Sequence, residues 1–194
     1  MLSSIHPLGE RARHNRWALT VTAFTVGAVV SGSVVGLTLG AVGSAMLPPG
    51  SSGLLIVTAA AALIAGALDM AGVKAPGPSR QVNETWIGTF RGWVYGGGFG
   101  LELGLGTVTY VVTWGVYATY FAALATASPT LGAVVGATFG LGRSLILWVA
   151  GYVDRPSRLT AFNRRLASAG PVIRKGSAVA FAVLGVGLIA GGAL

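Results

Sequence analysis

The sequence predicts an all-α fold, a polytopic helical membrane protein with about five transmembrane helices, and three observations carry that reading. No charged residue occurs across the 52 positions from Trp17 to Leu68, nor across the 40 from Leu103 to Gly142. Mean hydropathy is +0.73. Charged residues make up 9% of the chain and hydrophobic ones 53%, whereas a water-facing surface ordinarily needs about a quarter of its residues charged. A bilayer gives an exposed peptide group no hydrogen-bond partner, so long uncharged runs must cross as helices of about 20 residues.

Turn signals at Pro48-Pro49-Gly50-Ser51-Ser52 and Ser128-Pro129 cut the runs into spans 17–47, 53–73, 92–126, 130–153 and 172–194 of one transmembrane domain, 1–194. Residues 1–16 form a tail, and 74–91 and 154–171 are basic loops. Arg11, Arg13 and Arg16 precede the first span, Lys74, Arg80 and Arg91 separate the second from the third, and Arg155, Arg158, Arg164, Arg165, Arg174 and Lys175 separate the fourth from the fifth. The positive-inside rule then places the N-terminus in the cytoplasm and the C-terminus outside a bacterial cytoplasmic membrane. An apolar run this long after Arg11–Arg16 reads as a retained span, not as a signal peptide.

At about 1.5 Å per residue the first and third spans reach about 45 to 50 Å against a hydrocarbon core of about 30 Å, so they tilt, project or break. The third has a cause for breakage in Gly96, Gly97, Gly98, Gly100, Gly104 and Gly106. A hairpin of two half-helices in each long span is the alternative.

The chain carries hints of a duplicated unit. Arg16-Trp17 and Arg91-Gly92-Trp93 open the first and third spans, and Pro78-Ser79-Arg80 follows the second as Pro156-Ser157-Arg158 follows the fourth. These matches fit a parallel two-helix repeat with a fifth helix added, or chance likeness between two hairpins of similar composition. In the basic loops, Leu159, Phe162 and Leu166 share one helical face, with Arg155, Arg158, Arg164 and Arg165 elsewhere, and Val82, Trp86 and Phe90 form a second stripe. Such segments lie at the headgroup boundary. A net charge of +8, placed in this way, points to anionic lipid as partner and not to nucleic acid.

Small residues recur at every fourth position: Gly32, Gly36 and Gly40; Gly96, Gly100 and Gly104; Gly132, Gly136 and Gly140. Lipid supplies no hydrophobic drive between helices, so glycine ridges that let backbones approach supply the packing, within one bundle or between the subunits of a homo-oligomer. Glu102 and Arg143 are charges set at matching depth about ten residues from the inner ends of their spans. They are expected to form an ion pair that either fixes helix register or lines a polar path, since an unpaired charge at that depth is expensive. Thr109 and Thr113 fall near the stripe of Glu102, beside Tyr110, and together they outline a candidate solute or ion path. Asp69 is placed near the inner interface, within reach of Lys74.

Catalytic constellations are missing. His6 and His14 lie in the polar tail and read as solvated, Cys is absent, and no nucleophile–base pair, metal cluster or phosphate loop is recognisable. No cofactor and no enzymatic activity are expected.

The pattern Phe99-Gly100-Leu101-Glu102-Leu103-Gly104-Leu105-Gly106, with Thr109-Tyr110-Val111 and the later Phe139-Gly140-Leu141-Gly142-Arg143, resembles an uncharacterised group of actinobacterial integral membrane proteins. The resemblance covers mainly 99–143 and directs attention to Glu102 and Arg143 without supplying an activity. More remotely, the glycine-broken helices are similar to the cytochrome c biogenesis and thiol-disulfide transmembrane family. That family works through paired cysteines, which this chain lacks. The favoured function on these grounds is transport of an ion or small solute past Glu102 and Arg143. The rival is a non-transporting scaffold or assembly subunit of a membrane complex. A wet cavity at Glu102 speaks for the first, and a dry interior for the second.

Overall fold

Regular structure is helical throughout the described residues, as uncharged runs rich in Ala, Leu and Val favour. The computed structural model describes residues 5–46, 52–78, 85–108, 111, 113–151, 161, 164 and 168–192. Its helices are α1 (Pro7–Ala12), α2 (Trp17–Met46), α3 (Ser52–Met70), α4 (Trp86–Thr89), α5 (Gly92–Gly104), α6 (Gly115–Ala125), α7 (Pro129–Gly151) and α8 (Gly170–Gly192). Among the described residues, α2 and α7 are long and apolar enough to cross a membrane on length and composition.

The long helix α2 is the axis. Its Gly32 and Gly36 lie directly on the Gly136 and Gly132 carbonyls of antiparallel α7, Gly40 lies on the carbonyl of Ser128 just before that helix, and Gly140 lies on the Ala28 carbonyl. On another side, Thr20, Phe24 and Ala28 meet Gly96, Gly100 and Gly104 of α5. Both numbers rise together, so α2 and α5 run parallel. A Cβ at any of these glycines would collide with a backbone atom opposite, and the two ridges therefore set the closeness of the bundle. The parallel register reproduces the offset between Trp17 and Trp93. Further likeness between the halves stops there, since α3 packs chiefly on α8 and α6, while α7 packs on α2.

The third apolar run is broken. Gly104 meets Ala28 and, beyond the interruption, Leu124 meets Gly43, so α5 and α6 ascend α2 in one direction as halves of a single discontinuous helix and not as a hairpin.

Residues are distributed inside out relative to a water-soluble bundle. The α2 face that packs is Gly27, Ala28, Ser31, Gly32 and Gly36, whereas Val26, Val30 and Val34 are 55%, 49% and 55% exposed. Larger buried side chains gather at the N-terminal end of α2 and α5, where Ile5, Val21, Phe24, Tyr95, Phe99 and Leu147 form a cluster flanked by Trp17 and Trp86. Of the expected stripe, Trp86 and Phe90 share a face with ring centroids 5.8 Å apart. Trp86 turns into the bundle, stacking on Phe99 at 6.2 Å and 24° and filling the space above Gly98, because a glycine leaves room for an indole. Val82, Arg155, Arg158, Phe162 and Arg165 lie outside the described residues, and Arg164 is exposed.

Candidate functional site

Breaking a helix in an apolar interior frees carbonyls at the end of one half and N–H groups at the start of the other, and each set needs a partner. The chain provides both. At the end of α5, Gly106 adopts φ +79°, its amide closes on Leu103 O at 3.1 Å, and the Tyr120 hydroxyl donates to the Leu105 carbonyl. Arg143 of α7 extends to the Gly106 carbonyl at 3.5 Å and lies over the Phe139 ring, 5.3 Å from its centroid. A guanidinium at a helix C-terminus meets the negative end of the macrodipole.

At the start of α6 the complementary charge appears. Asp69, 2% exposed, accepts the Trp114 amide through Oδ1 at 3.0 Å, and Thr113 Oγ1 accepts from Gly115 N at 3.2 Å. Trp114 Nε1 donates to Val73 O at 3.0 Å, and the Tyr117 hydroxyl donates to Pro76 O. The stretch after α3 is thus sewn onto the N-terminal turn of α6. A carboxylate at that end is the favourable sign for the helix dipole. One oxygen, Asp69 Oδ2, is buried with no hydrogen-bond partner among the described residues.

This arrangement revises the expected site. Glu102 and Arg143 do not form an ion pair; the salt bridge found among the described residues joins Arg13 and Glu10. The reason is rotational. Gly100 and Gly104 turn toward α2, and a residue two positions on from Gly100 is rotated by about 200°, so Glu102 faces away from α2. Helix α7 contacts α2 extensively and α5 little. Glu102 is half-buried, beside the Trp86 side of α5. Asp69 does not pair with exposed Lys74 either, because it caps α6. Thr113 serves that same cap, and Thr109 and Tyr110 lie outside the described residues.

Reading the sequence missed the cap because its donor and acceptor are 45 positions apart, and no local motif displays such a pair. A second omission lies at the opposite end. His6 is buried, not solvated: it is 1% exposed and caps α1, with Nδ1 accepting from Leu8 N at 3.3 Å and Pro7 at the first helical position. That turn drives Glu10 into the bundle, fully buried. Its carboxylate accepts from Arg13 Nη2 at 2.6 Å, from Thr20 Oγ1 at 2.9 Å and from the Tyr95 hydroxyl. Partial burial pulls the Arg13 guanidinium down, but its hydrogen bond to Glu10, with the electrostatic influence of Tyr95 and of the Glu10 carboxylate, more than offsets this and holds its pKa above the usual arginine value. His-Pro followed three residues later by an acid was the available signal, a helix start in what reads as a tail.

Comparison with known proteins adds one likeness. The chain is similar to methylamine utilization protein MauF. It is 32% identical to the protein of that name from Paracoccus versutus over 152 residues, 74% of this chain and 54% of that one. It is 34% identical to the one from Methylorubrum extorquens over 124 residues, 63% of this chain and 42% of that one. The chain spans about half the length of the curated relatives it matches. No family model matches, and no solved structure does. The actinobacterial and thiol-disulfide resemblances therefore gain no support here.

Two consequences of the break can be measured. Asp69→Leu is expected to destabilise the protein by about 1–2 kcal/mol, the usual worth of a helix cap, and to speed amide exchange at Trp114. Asp69→Asn, which retains an accepting oxygen, should lose less than half of that. Gly106→Ala combines a left-handed φ with a collision against the Tyr120 hydroxyl, and a loss of about 1–3 kcal/mol is expected from backbone strain. Both are read from thermal unfolding in detergent.

Proposed function

We propose that this chain is an integral membrane protein of about five crossings, with its N-terminus cytoplasmic, that serves as a non-transporting scaffold or assembly subunit of a membrane complex. The single observation that carries the choice over transport is that the polar groups at the break in the third run are satisfied by one another. Where α2, α5, α6 and α7 converge, the space lined by Gly32, Gly36, Gly104, Tyr120, Gly136 and Phe139 measures about 10 Å³, barely that of one water, and the larger open cavities of about 440 and 500 Å³ that α6 shares with α3 and α7 are lined mainly by apolar side chains. Glu102 and Arg143 form no ion pair with each other.

Membrane placement is supported by the two long apolar helices and by an exterior of Val, Leu and Ile around a glycine interior. Water would drive the larger apolar groups inward, whereas lipid leaves close backbone contact as the main source of association. The likeness to two methylamine utilization proteins supports a contributory role in a pathway. The basic loops supply the partner surface toward anionic headgroups.

The test is affinity purification of the full chain from membranes with mild crosslinking, paired with flux assays in proteoliposomes. A stoichiometric membrane partner and no flux are expected. Solute or ion flux that Arg143→Met abolishes would reverse the assignment. For the orientation, a cysteine introduced at Arg164 should be labelled only from the cytoplasmic side.

A further inference from the structure

Parallel packing of α2 and α5 brings their N-terminal ends together, and with them Arg16 and Arg91, the residues that precede each helix. Between them lies an open cavity of about 240 Å³ lined by His14, Asn15, Arg16, Leu19, Arg91 and Trp93, among others. Both arginines are exposed, and neither has an ion-pair partner among the described residues. Among the described residues the acid close to it, Glu10, is fully buried and paired with Arg13 at 2.6 Å. Counted over the described residues, the cavity keeps an excess of two positive charges, Arg16 and Arg91. Below it the wall turns apolar, with Leu19 53% and Trp93 52% exposed on neighbouring helices.

We propose that this cavity binds the phosphate of an anionic phospholipid between Arg16 and Arg91, with the lipid's acyl chains descending along Leu19 and Trp93. Guanidinium groups present planar forks of donors that match phosphate oxygens two at a time. His14 and Asn15 add donors at the rim, and an exposed tryptophan next to them suits the headgroup level. Basic pockets between helices on a cytoplasmic face recognise such headgroups. A zwitterionic phospholipid carries the same phosphate but brings an ammonium into a pocket that is already positive, so the site should select net negative charge. Free phosphate shares the recognised chemistry but has no use for the apolar wall.

The proposal rests on the membrane placement above and not on the scaffold role. It is tested by native mass spectrometry of the full chain released from nanodiscs of equal phosphatidylglycerol and phosphatidylcholine. Wild type should retain phosphatidylglycerol selectively. Arg16→Gln/Arg91→Gln should lower that retention about thirtyfold, on about 1 kcal/mol for each basic residue near anionic lipid, and Arg16→Lys/Arg91→Lys should recover part of it. Lys175→Gln, which removes an exposed charge elsewhere, should leave it unchanged. Equal retention of the two lipids, or an equal loss in Lys175→Gln, would overturn the site. Displacement of the lipid by inorganic phosphate would assign the pocket to the free anion and overturn the lipid as occupant. A chain that stays soluble and monodisperse without detergent would instead refute the membrane placement itself.

Discussion

Gly36→Leu is expected to prevent stable folding, with little protein surviving extraction in detergent and a loss of at least about 3 kcal/mol in any that does. A side chain at Gly36 would enter the Gly132 carbonyl on the facing helix. Overpacking of ordinary cores costs about 1–3 kcal/mol because neighbouring side chains can shift. Here the obstacle is backbone on a rigid helix, and moving it would also separate Gly32 from Gly136 and Gly40 from Ser128. Gly132→Leu should do equal damage, and the two changes together should be far from additive because they break one interface. Gly142 supplies the internal control. It sits on the same helix α7 with nothing within 4 Å of an added Cβ, so Gly142→Ala should leave the protein unchanged or raise its stability by about 0.5–1 kcal/mol through lower backbone entropy. Thermal unfolding followed by circular dichroism ranks the set, and equal effects at Gly36 and Gly142 would contradict the interface.

The second large effect is expected at Glu10. Replacing it with alanine leaves the buried Tyr95 and Thr20 hydroxyls facing an empty acceptor position, at about 1–3 kcal/mol for each buried donor left unsatisfied, while the Arg13 side chain, 32% exposed, can turn to solvent. The expected consequence is detachment of α1 from α2 and α5, seen as protease sensitivity in 7–16 where wild type resists. Glu10→Gln keeps an accepting oxygen and should fall between. A cycle of Glu10→Gln with Tyr95→Phe should show coupling, since the two groups are directly hydrogen-bonded. If Glu10→Ala leaves proteolysis untouched, the buried cluster does not hold the segment.

What was legible in advance follows from how local each signal is. Periodic glycines in 32–40, 96–104 and 132–140 announce close helix contacts because every fourth residue returns to one face. They do not say which ridge meets which, and the answer, α2 between α5 and α7, depends on the arrangement of the whole bundle. The glycines between Gly96 and Gly106 announced a break in the third run, but α5 runs through all of them up to Gly104, and of the group only Gly106, with φ +79°, belongs to the break itself. The partners of that break come from α3 and α7, at distances along the chain that no motif spans. Glu102 and Arg143 illustrate the limit most clearly. Depth along a helix can be counted from sequence, but the direction a side chain faces depends on the rotation of its helix, and about 200° separates Glu102 from the packed face at Gly100. The buried Glu10 was hidden for a related reason, since a short charged segment reads as solvated until a pocket formed by Thr20 and Tyr95 is known to receive it.

By itself the sequence determined the helical class, the positions of the apolar runs and the small-residue ridges along them, because composition and periodicity act through neighbours at most a turn or two away. The pairing of the ridges, the capping of the broken helix by Asp69 and Arg143, and the burial of Glu10 emerge in the folded bundle. Those depend on helix order and rotation, which long-range contacts set together and no single segment encodes.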